Sequence, residues 1–531
     1  MSKYGYPRYL LLFASLLLTG SIASLHPTSA LAQSTSGDVV GTVTDASGAG
    51  VAHATVTATN EATGVSATTE ANEQGEFRIS NLPAGRYTIK GAATGFQTYS
   101  LQGFSVTLNQ TATAQLRLPV ASATTNVEVS AMAETAIDTT TIQLQQTFST
   151  REVQDLPVAT IGLGALNLSL LSPGVATSGG IGAGTGPSVG GQRPRNNNFT
   201  VEGIDDNDKG VTGPLITVPN DATGEFTLLT NQFSPEFGHS TGGQFNTTIL
   251  GGTNQLHGRV YEYFQNRNLN AIDASTARGQ DPAHIVNPRY DQNRFGGQVG
   301  GPIIKDKLFF FSNFEKYQLG QNLAYALCTP TAAGYAMIAA TPGLSANNVA
   351  ILQKYVPASA TQDTAGAACG SPTTSVGGND VPLGALPFSG AYFTNDYQST
   401  NSIDYTLSQN NQFRFRYMYL RDASTDTAAN LGAFWQPLPN RYHLFAASWF
   451  HEFTPRLTNE LRLGYNRYSS LTPSGDFTFP GLDSFPNLTF DDMGFIQVGP
   501  DPNAPQSTIQ NLYQFVDNIT GEGQPHAEVR V

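Results

Sequence analysis

The sequence predicts a mostly β chain: a small antiparallel sandwich near the N-terminus and, in the second half, the strands of a transmembrane antiparallel β-barrel. Three observations carry this. Gly 54 and Pro 30 among 531 residues mark frequent turns, and abundant Thr, Asn, Tyr and Phe without long Ala/Glu/Lys/Leu-rich amphipathic runs favour strands. Only 13% of residues are charged, which is low for a soluble protein of this size. Finally, stretches such as NQFRFRYMYL at 411–420 alternate aromatic with cationic positions, giving a strand one greasy and one polar face.

Residues 1–32 read as an export signal, with Lys3 and Arg8 in the basic region, Tyr9–Leu18 as the apolar run, and Ala30-Leu31-Ala32 as the cleavage site before Gln33. No later segment approaches ~18 uninterrupted apolar residues, so a membrane would have to be crossed by strands. A net charge of −13 excludes a sequence-independent grip on nucleic acid, which needs clustered Lys and Arg. The two cysteines, Cys328 and Cys369, suit one loop-closing disulfide in an exported chain, with two free thiols as the alternative.

Residues 36–118 carry short runs of Val, Thr, Ile and Tyr separated by turn signals such as DASGAG, NEQGE and LPAGR, which describes a compact sandwich. The unit resembles the carboxypeptidase-regulatory-like domain through Gly41-Thr42-Val43-Thr44-Asp45, Gly75-Glu76-Phe77, Leu82-Pro83-Ala84-Gly85-Arg86-Tyr87 and Gly95-Phe96. That resemblance implies a prealbumin- or Ig-like sandwich acting as a binding or spacer module, without peptidase activity.

Residues 119–255 change to Gly- and Asn-rich segments between brief strands. From 256 to 531 about eight strands are expected, near 256–265, 293–300, 307–317, 400–408, 411–420, 442–453, 458–468 and 511–518. Short turns at 301–306, 409–410 and 454–457 alternate with long polar stretches at 266–292, 318–399, 421–441 and 469–510. An up-and-down membrane barrel has this parity, short on the periplasmic side and long outside. Both cysteines fall in the largest outer stretch. Burying Arg414, Arg416 and Arg462 in lipid would cost about 2–4 kcal/mol each at the midplane, so the aromatic face meets lipid and the ionic face a lumen. A soluble sandwich is the competing arrangement.

Catalytic patterns fail. GPSVG at 186–190 places Ser188 in a formal nucleophile motif, but low-complexity glycine surrounds it and no strand–turn–helix frames it. The run Asp205-Asp206-Asn207-Asp208-Lys209-Gly210 has Lys209 at a ligand position and Ile216 where a calcium loop needs its bidentate Glu. The eight histidines form no zinc motif. No enzyme activity, metal or cofactor is expected.

Three ordered segments, RPRNNNFTVEGIDDND (193–208), FSPEFGHSTGGQFNTTILGGTNQLHGRVYEYFQN (233–266) and NRFGGQVGGPIIKDKLFFFSNFEKYQ (293–318), resemble the TonB-dependent receptors of the Oar-like group. REVQDLPVATIGLGALNLSLLSPGV (151–175) resembles the plug of the same family. The resemblance implies an outer-membrane barrel closed by a plug within 119–255 and energised by the TonB complex. It would place a TonB-contacting segment between sandwich and plug, where Val127, Glu128 and Val129 could add as a strand to a partner sheet. Arg193 and Arg195 of the plug would meet lumen-facing Glu262 and Glu315 of the wall.

The chain departs from that family in size. Plugged outer-membrane transporters have ~22 strands, and an eight-stranded barrel is just wide enough for its own side chains, so the sequence reads as a C-terminally truncated barrel. The run GEGQPHAEVRV (521–531) lacks a strand pattern; codons for His526-Ala527-Glu528-Val529-Arg530, one base out of register, can spell Thr-Leu-Lys-Phe-Gly, which suggests a frameshift or a mis-called gene end. The expected function is uptake of a bulky solute, a saccharide or metal chelate, across the outer membrane, with transport competence in doubt. The alternative is a secreted or periplasmic β-rich protein that binds glycans or surfaces.

Overall fold

The computed structural model describes residues 35–120, 127–130, 143–156, 164–177, most of 185–522, and 528–530. The expected export signal lies outside the described residues. None of the described helices is long and apolar enough to cross a membrane.

The N-terminal unit contains β1 (Gly37–Thr44), β2 (Thr55–Asn60), β3 (Ser66–Glu70), β4 (Glu76–Leu82), β5 (Gly85–Ala92), β6 (Tyr99–Val106) and β7 (Thr111–Arg117). Their pairing gives one sheet in the order β4-β1-β7 and a second beginning β3-β2-β5-β6. Strand alternation builds the core between them: on β5, Tyr87, Ile89 and Gly91 point in while Arg86, Lys90 and Ala92 point out. Val39, Val56, Ile89 and Leu116 are fully buried, each contributing about 1.5–3 kcal/mol. The DASGAG turn closes because the Asp45 carboxylate accepts the Ser47 and Ala49 backbone N–H groups at 2.8 and 2.9 Å.

A further strand, β8 (Val127–Ser130), joins the edge of the second sheet. It runs parallel to β6, with Val127, Glu128 and Val129 opposite Tyr99, Ser100 and Leu101. The segment expected to add to a partner's sheet therefore forms a strand on the sandwich itself, one backbone edge already occupied.

The next unit holds β9 (Leu144–Ser149), β10 (Val175–Ala176), β11 (Ser188–Val189), β12 (Asn198–Val201), β13 (Ile204–Asp205), β14 (Thr223–Asn231) and β15 (Gln244–Ile249). Five of these form a mixed sheet, β13-β12-β15-β14-β9, in which β12 and β15 are parallel. Phe148, Phe226, Phe245 and Phe199 stack across it with centroids 5.7, 6.2 and 4.9 Å apart in turn, aromatic contacts that add to the area each ring buries. A short helix, Thr150–Asp155, starts on a capping box between Ser149 and Glu152.

All eight expected strands of the second half are present: β16 (His257–Asn266), β17 (Tyr290–Ile304), β18 (Leu308–Pro330), β20 (Asn379–Ser408), β21 (Asn411–Asp426), β22 (Gln436–Thr454), β23 (Leu457–Thr472) and β24 (Gln506–Glu522). Two short ones, β19 (Thr373–Val376) and β25 (Glu528–Arg530), join them in one antiparallel ten-stranded sheet. It runs from β16 to β25 in sequence order, with β19 paired to β20 alone, and among the described residues its two ends do not pair with each other. The wall is open. Residues from β16 at one side to β24 at the other contact the same plug, so the sheet wraps around it.

The faces divide as the alternation predicts. On β21, Arg414, Arg416 and Met418 are buried while Phe415 and Tyr417 are exposed. The outward row Tyr405, Phe413, Trp449 near the short turns is in register and stacked, as expected of an interfacial aromatic girdle.

The long outer stretch at 318–399 is a correction. Instead of polar loop, β18 and β20 continue pairing as far as Pro330 and Leu383, because Tyr, Leu, Phe and Ala recur through 319–327 and 383–393 and sustain the ladder. The remainder folds too, with helices Ala332–Ala340 and Ala346–Tyr355 and a disulfide from Cys328 to Cys369. Phe434 and Phe485 from two other outer loops pack with Leu327 and Val356 in one apolar cluster, so the outer loops share a core.

Candidate functional site

The plug meets the wall through a hairpin turn. Glu202 and Gly203 join β12 to β13 with φ of 52° and 67°, the left-handed pair of a type I′ turn. This turn aims Glu202 at the wall. Its Oε1 accepts the Ile249 backbone N–H at 2.6 Å and Arg416 Nε at 3.3 Å. Arg416 also donates through Nη1 to Asp404 Oδ1 at 2.7 Å, so two carboxylates balance one guanidinium in a region where Glu202 and Arg416 are 5% and 6% exposed.

Two more wall arginines complete the network. Arg462, fully buried, donates through Nη1 to the Gly203 carbonyl at 3.1 Å and is bonded to Glu460. Glu460 accepts the Thr35 hydroxyl at 2.8 Å, and Arg414 donates to the Thr35 carbonyl at 3.3 Å while its guanidinium lies 4.2 Å from the Phe450 ring centre. A buried charge is tolerated when paired and hydrogen-bonded; here the start of the sandwich, the plug turn and the wall supply partners to one another, although Arg414 Nη2 and Arg462 Nε are buried without a hydrogen bond.

A second clasp sits further round. Asp221, fully buried in the plug, lies 3.2 Å from Arg259 of β16 and accepts the Tyr263 hydroxyl at 3.1 Å. Burial pushes its carboxyl above the ordinary range, and Arg259 opposes that rise. Asp206, also buried, is pushed well up by burial despite accepting the Ile216 N–H at 3.2 Å. Between the clasps the contact is apolar: Val201, Ile204 and Ile216 of the plug pack with Phe311, Met418 and Leu444 of the wall. Polar bonds surround it, including Gln398 Nε2 to the Thr217 carbonyl at 2.6 Å and Asn466 Nδ2 to the Asp205 carbonyl at 3.2 Å.

The expected ion pairs are therefore corrected in identity and polarity. Plug acids meet wall cations. Glu315 does face inward, but it pairs with Arg294 of the neighbouring strand at 3.9 Å and accepts the Tyr261 hydroxyl at 3.0 Å. Glu262 has the opposite parity and is exposed, in register with the outward row of Phe295, Lys316, Tyr397 and Arg421. Arg193 and Arg195 are exposed on the plug, while the ion pair of Glu315 is made by Arg294. The residues that do the clamping, Glu202 and Asp221, lie in turns; the Glu202-Gly203 hairpin signal inside VEGID was the one available clue.

The sandwich docks on the same end. The Leu108 N–H donates to Glu225 Oε1 of β14 at 2.7 Å, Gln145 Nε2 to the Leu108 carbonyl at 3.0 Å, and the Asn254 N–H to the Ala62 carbonyl at 3.0 Å. Burial pushes Glu225 up to about 7, with the Leu108 bond opposing it. A cavity of about 530 Å³ separates sandwich, plug and wall there. On the other side of the clamp, between the plug and the upper wall strands, lies a chamber of about 630 Å³.

The Ser188 hydroxyl donates to the Gln192 carbonyl, and Lys209 folds back onto Asp205 at 2.8 Å, so both motifs are local turns. Among the described residues no group of three or more His, Cys, Asp or Glu is arranged to hold a metal.

Comparison with known proteins gives two family matches: the outer membrane beta barrel domain over residues 248–526 and the carboxypeptidase regulatory-like domain over 38–119. The TonB-dependent transporter Oar of Myxococcus xanthus is 29% identical over 299 residues, 55% of this chain and 27% of that protein. Among solved structures, the siderophore receptor PirA from Acinetobacter baumannii is 13% identical with a TM-score of 0.43, covering 71% of this chain and 45% of its own. The outer membrane transporter YddB from Escherichia coli is 11% identical with a TM-score of 0.45 over the same shares. The chain thus spans about a quarter of the curated relative and under half of these structures.

Proposed function

The chain belongs to the outer membrane beta barrel domain family, and on that premise we propose that it is the sandwich, plug and first wall strands of a TonB-dependent transporter that takes up a bulky solute, a saccharide or a metal chelate. The family places it in the outer membrane. One observation carries the proposal: a plug with its own sheet and core is held against the lumenal face of the wall by the buried Glu202–Arg416 pair and by buried Asp221 pairing with the partly exposed Arg259. The apolar plug–wall contact is a small patch flanked by these ion pairs and hydrogen bonds, polar links whose partners water can replace once the plug moves. That suits a plug that must hold at rest and yield under pull.

Residues 1–32 serve as the export signal, 36–118 as the sandwich, 119–255 as linker and plug, and 256–531 as wall. The TonB contact is Val127–Val129. Its strand pairing with β6 supports a segment able to exchange one sheet edge for another. Expression of the chain with its signal and fractionation of the envelope test the reading. Recovery in outer membranes as a heat-modifiable band is expected; a soluble periplasmic or secreted pool would instead indicate a glycan- or surface-binding protein and overturn it.

A further inference from the structure

Thr35 and Ser36 tie the sandwich to the clamp. They are 5% and 2% exposed. Ser36 is fastened to the sandwich, where its carbonyl accepts the Asn109 N–H at 3.1 Å and its hydroxyl donates to Asn81 Oδ1 at 3.3 Å. Thr35 reaches wall and plug together. Its hydroxyl donates to Glu460 Oε1 at 2.8 Å and accepts from Arg462 Nη2 at 3.4 Å, and its carbonyl accepts from Arg414 Nη1 at 3.3 Å. Arg462 at the same time holds the Gly203 carbonyl of the plug turn at 3.1 Å, and a Cβ at Gly203 would lie 3.0 Å from the Thr35 methyl.

The sandwich also encloses the clamp. The cavity of about 530 Å³ is walled by Glu202, Arg414 and Arg416 of the clamp and by Leu82, Tyr87 and Val106 of the sandwich. Among the described residues the Thr35 carbonyl is the one hydrogen-bond acceptor of Arg414, whose Nη2 is buried without a hydrogen bond. Undocking removes that acceptor, and a guanidinium so stranded must be hydrated. Water that reaches Arg414 reaches Arg416, the next residue on the same face of β21, and with it Glu202. An ion pair open to water contributes little, whereas the same pair enclosed is costly to break.

We propose that the sandwich is the lock on the plug: docked, it encloses the Glu202–Arg416 pair, and the plug turn comes free only after the sandwich has left the short-turn end of the wall. The inference rests on the transporter reading and adds an order of events to it. Thr35 is the positioning residue that joins the two steps. The other anchors are small, the Leu108 N–H on Glu225 at one point and the Asn254 N–H and side chain on the Ala62 and Thr63 carbonyls at another.

Gly64 supplies a perturbation that does not touch the clamp. Its φ is +71°, and a Cβ there would lie 2.7 Å from Asp306 Oδ1 and 2.9 Å from Asn254 Nδ2, across the docking interface. Gly64→Asp therefore wedges the sandwich off with bulk and with a charge like that of Asp306. Gly95→Asp is the control, at a φ of +89° with nothing within 4 Å. The full chain, extracted from outer membranes and heat-modifiable, is compared at one pH by hydrogen exchange of the Leu108 amide, which reads docking, and the Ile249 amide, which reads the clamp. Gly64→Asp is expected to speed both at least tenfold and Gly95→Asp neither. Coupling is reciprocal, so Glu202→Gln, made in the clamp, is expected to speed the Leu108 amide at least fivefold. Faster Leu108 exchange with Ile249 unchanged in Gly64→Asp, or faster Ile249 exchange with Leu108 unchanged in Glu202→Gln, overturns the lock. Unchanged Leu108 exchange in Gly64→Asp overturns it as well, because the docked sandwich has no room for the new side chain. Each of these results leaves the transporter reading standing, since recovery in outer membranes tests that separately.

Discussion

Replacing Glu202 probes the clamp most sharply. In Glu202→Gln the retained carbonyl oxygen still accepts the Ile249 N–H, now 2.6 Å away, but the charge facing Arg416 is lost. Breaking a buried pair outright costs about 3–5 kcal/mol. Here Arg416 keeps Asp404 at 2.7 Å, so the loss reduces to one charge-assisted hydrogen bond, about 2 kcal/mol. Glu202→Ala also strands the Ile249 N–H and is expected to cost about 3–5 kcal/mol. Hydrogen exchange of the Ile249 amide in detergent-solubilised protein reads this directly: about 2 kcal/mol corresponds to about 30-fold faster exchange. Unchanged protection in both variants would refute the claim that Glu202 holds the plug turn to the wall.

Other expectations are equally specific. Gly203→Ala puts a methyl 2.0 Å from Arg462 Nη1 at a φ of +67°, so it should loosen the same amide and lower thermal stability, whereas Gly190→Ala, with nothing within 4 Å, should show only the conformational cost of about 1 kcal/mol. Joint Cys328→Ser and Cys369→Ser opens a 41-residue separation, a loss of about 4 kcal/mol by chain entropy, and should make 332–376 protease-sensitive while heat-modifiability persists. Glu225 titrates near 7 when docked against an ordinary 4.5, so the docked state favours its protonated form. Docking should therefore be strongest below pH 4.5 and lose about 3 kcal/mol as pH rises to about 7, a dependence that Glu225→Gln removes, seen in sandwich release by limited proteolysis.

Much of the architecture was legible because period-two alternation is a strong signal when one face must be apolar. Arg414 and Arg416 turn inward beside Met418, and Phe415 and Tyr417 outward, as the polarity of NQFRFRYMYL requires. Strand length was less legible: 318–330 and 379–399 carry no uniform alternation, and their pairing is decided by neighbouring strands and an outer aromatic core. The clamp was missed for a different reason. Parity assigns a side chain to a face only within a strand, while Glu202 and Asp221 sit in turns whose direction depends on backbone φ and on the packing of the whole plug. Glu262 was misassigned because parity was counted from a sequence whose register with β17 was unknown; the pairing with Phe295 fixes it outward.

The central claim is that the aromatic face of the wall meets acyl chains. The protein has two tryptophans, and the fold separates them: Trp449 lies on the outward row with Phe413, and Trp435 packs against Phe388 in the outer-loop cluster. Single-tryptophan versions, Trp435→Phe and Trp449→Phe, reconstituted with lipids brominated near the headgroup end of the chain, test it by fluorescence quenching. Strong quenching of Trp449 with little of Trp435 is the expected result. Equal quenching of both, or an unquenched Trp449, would contradict it.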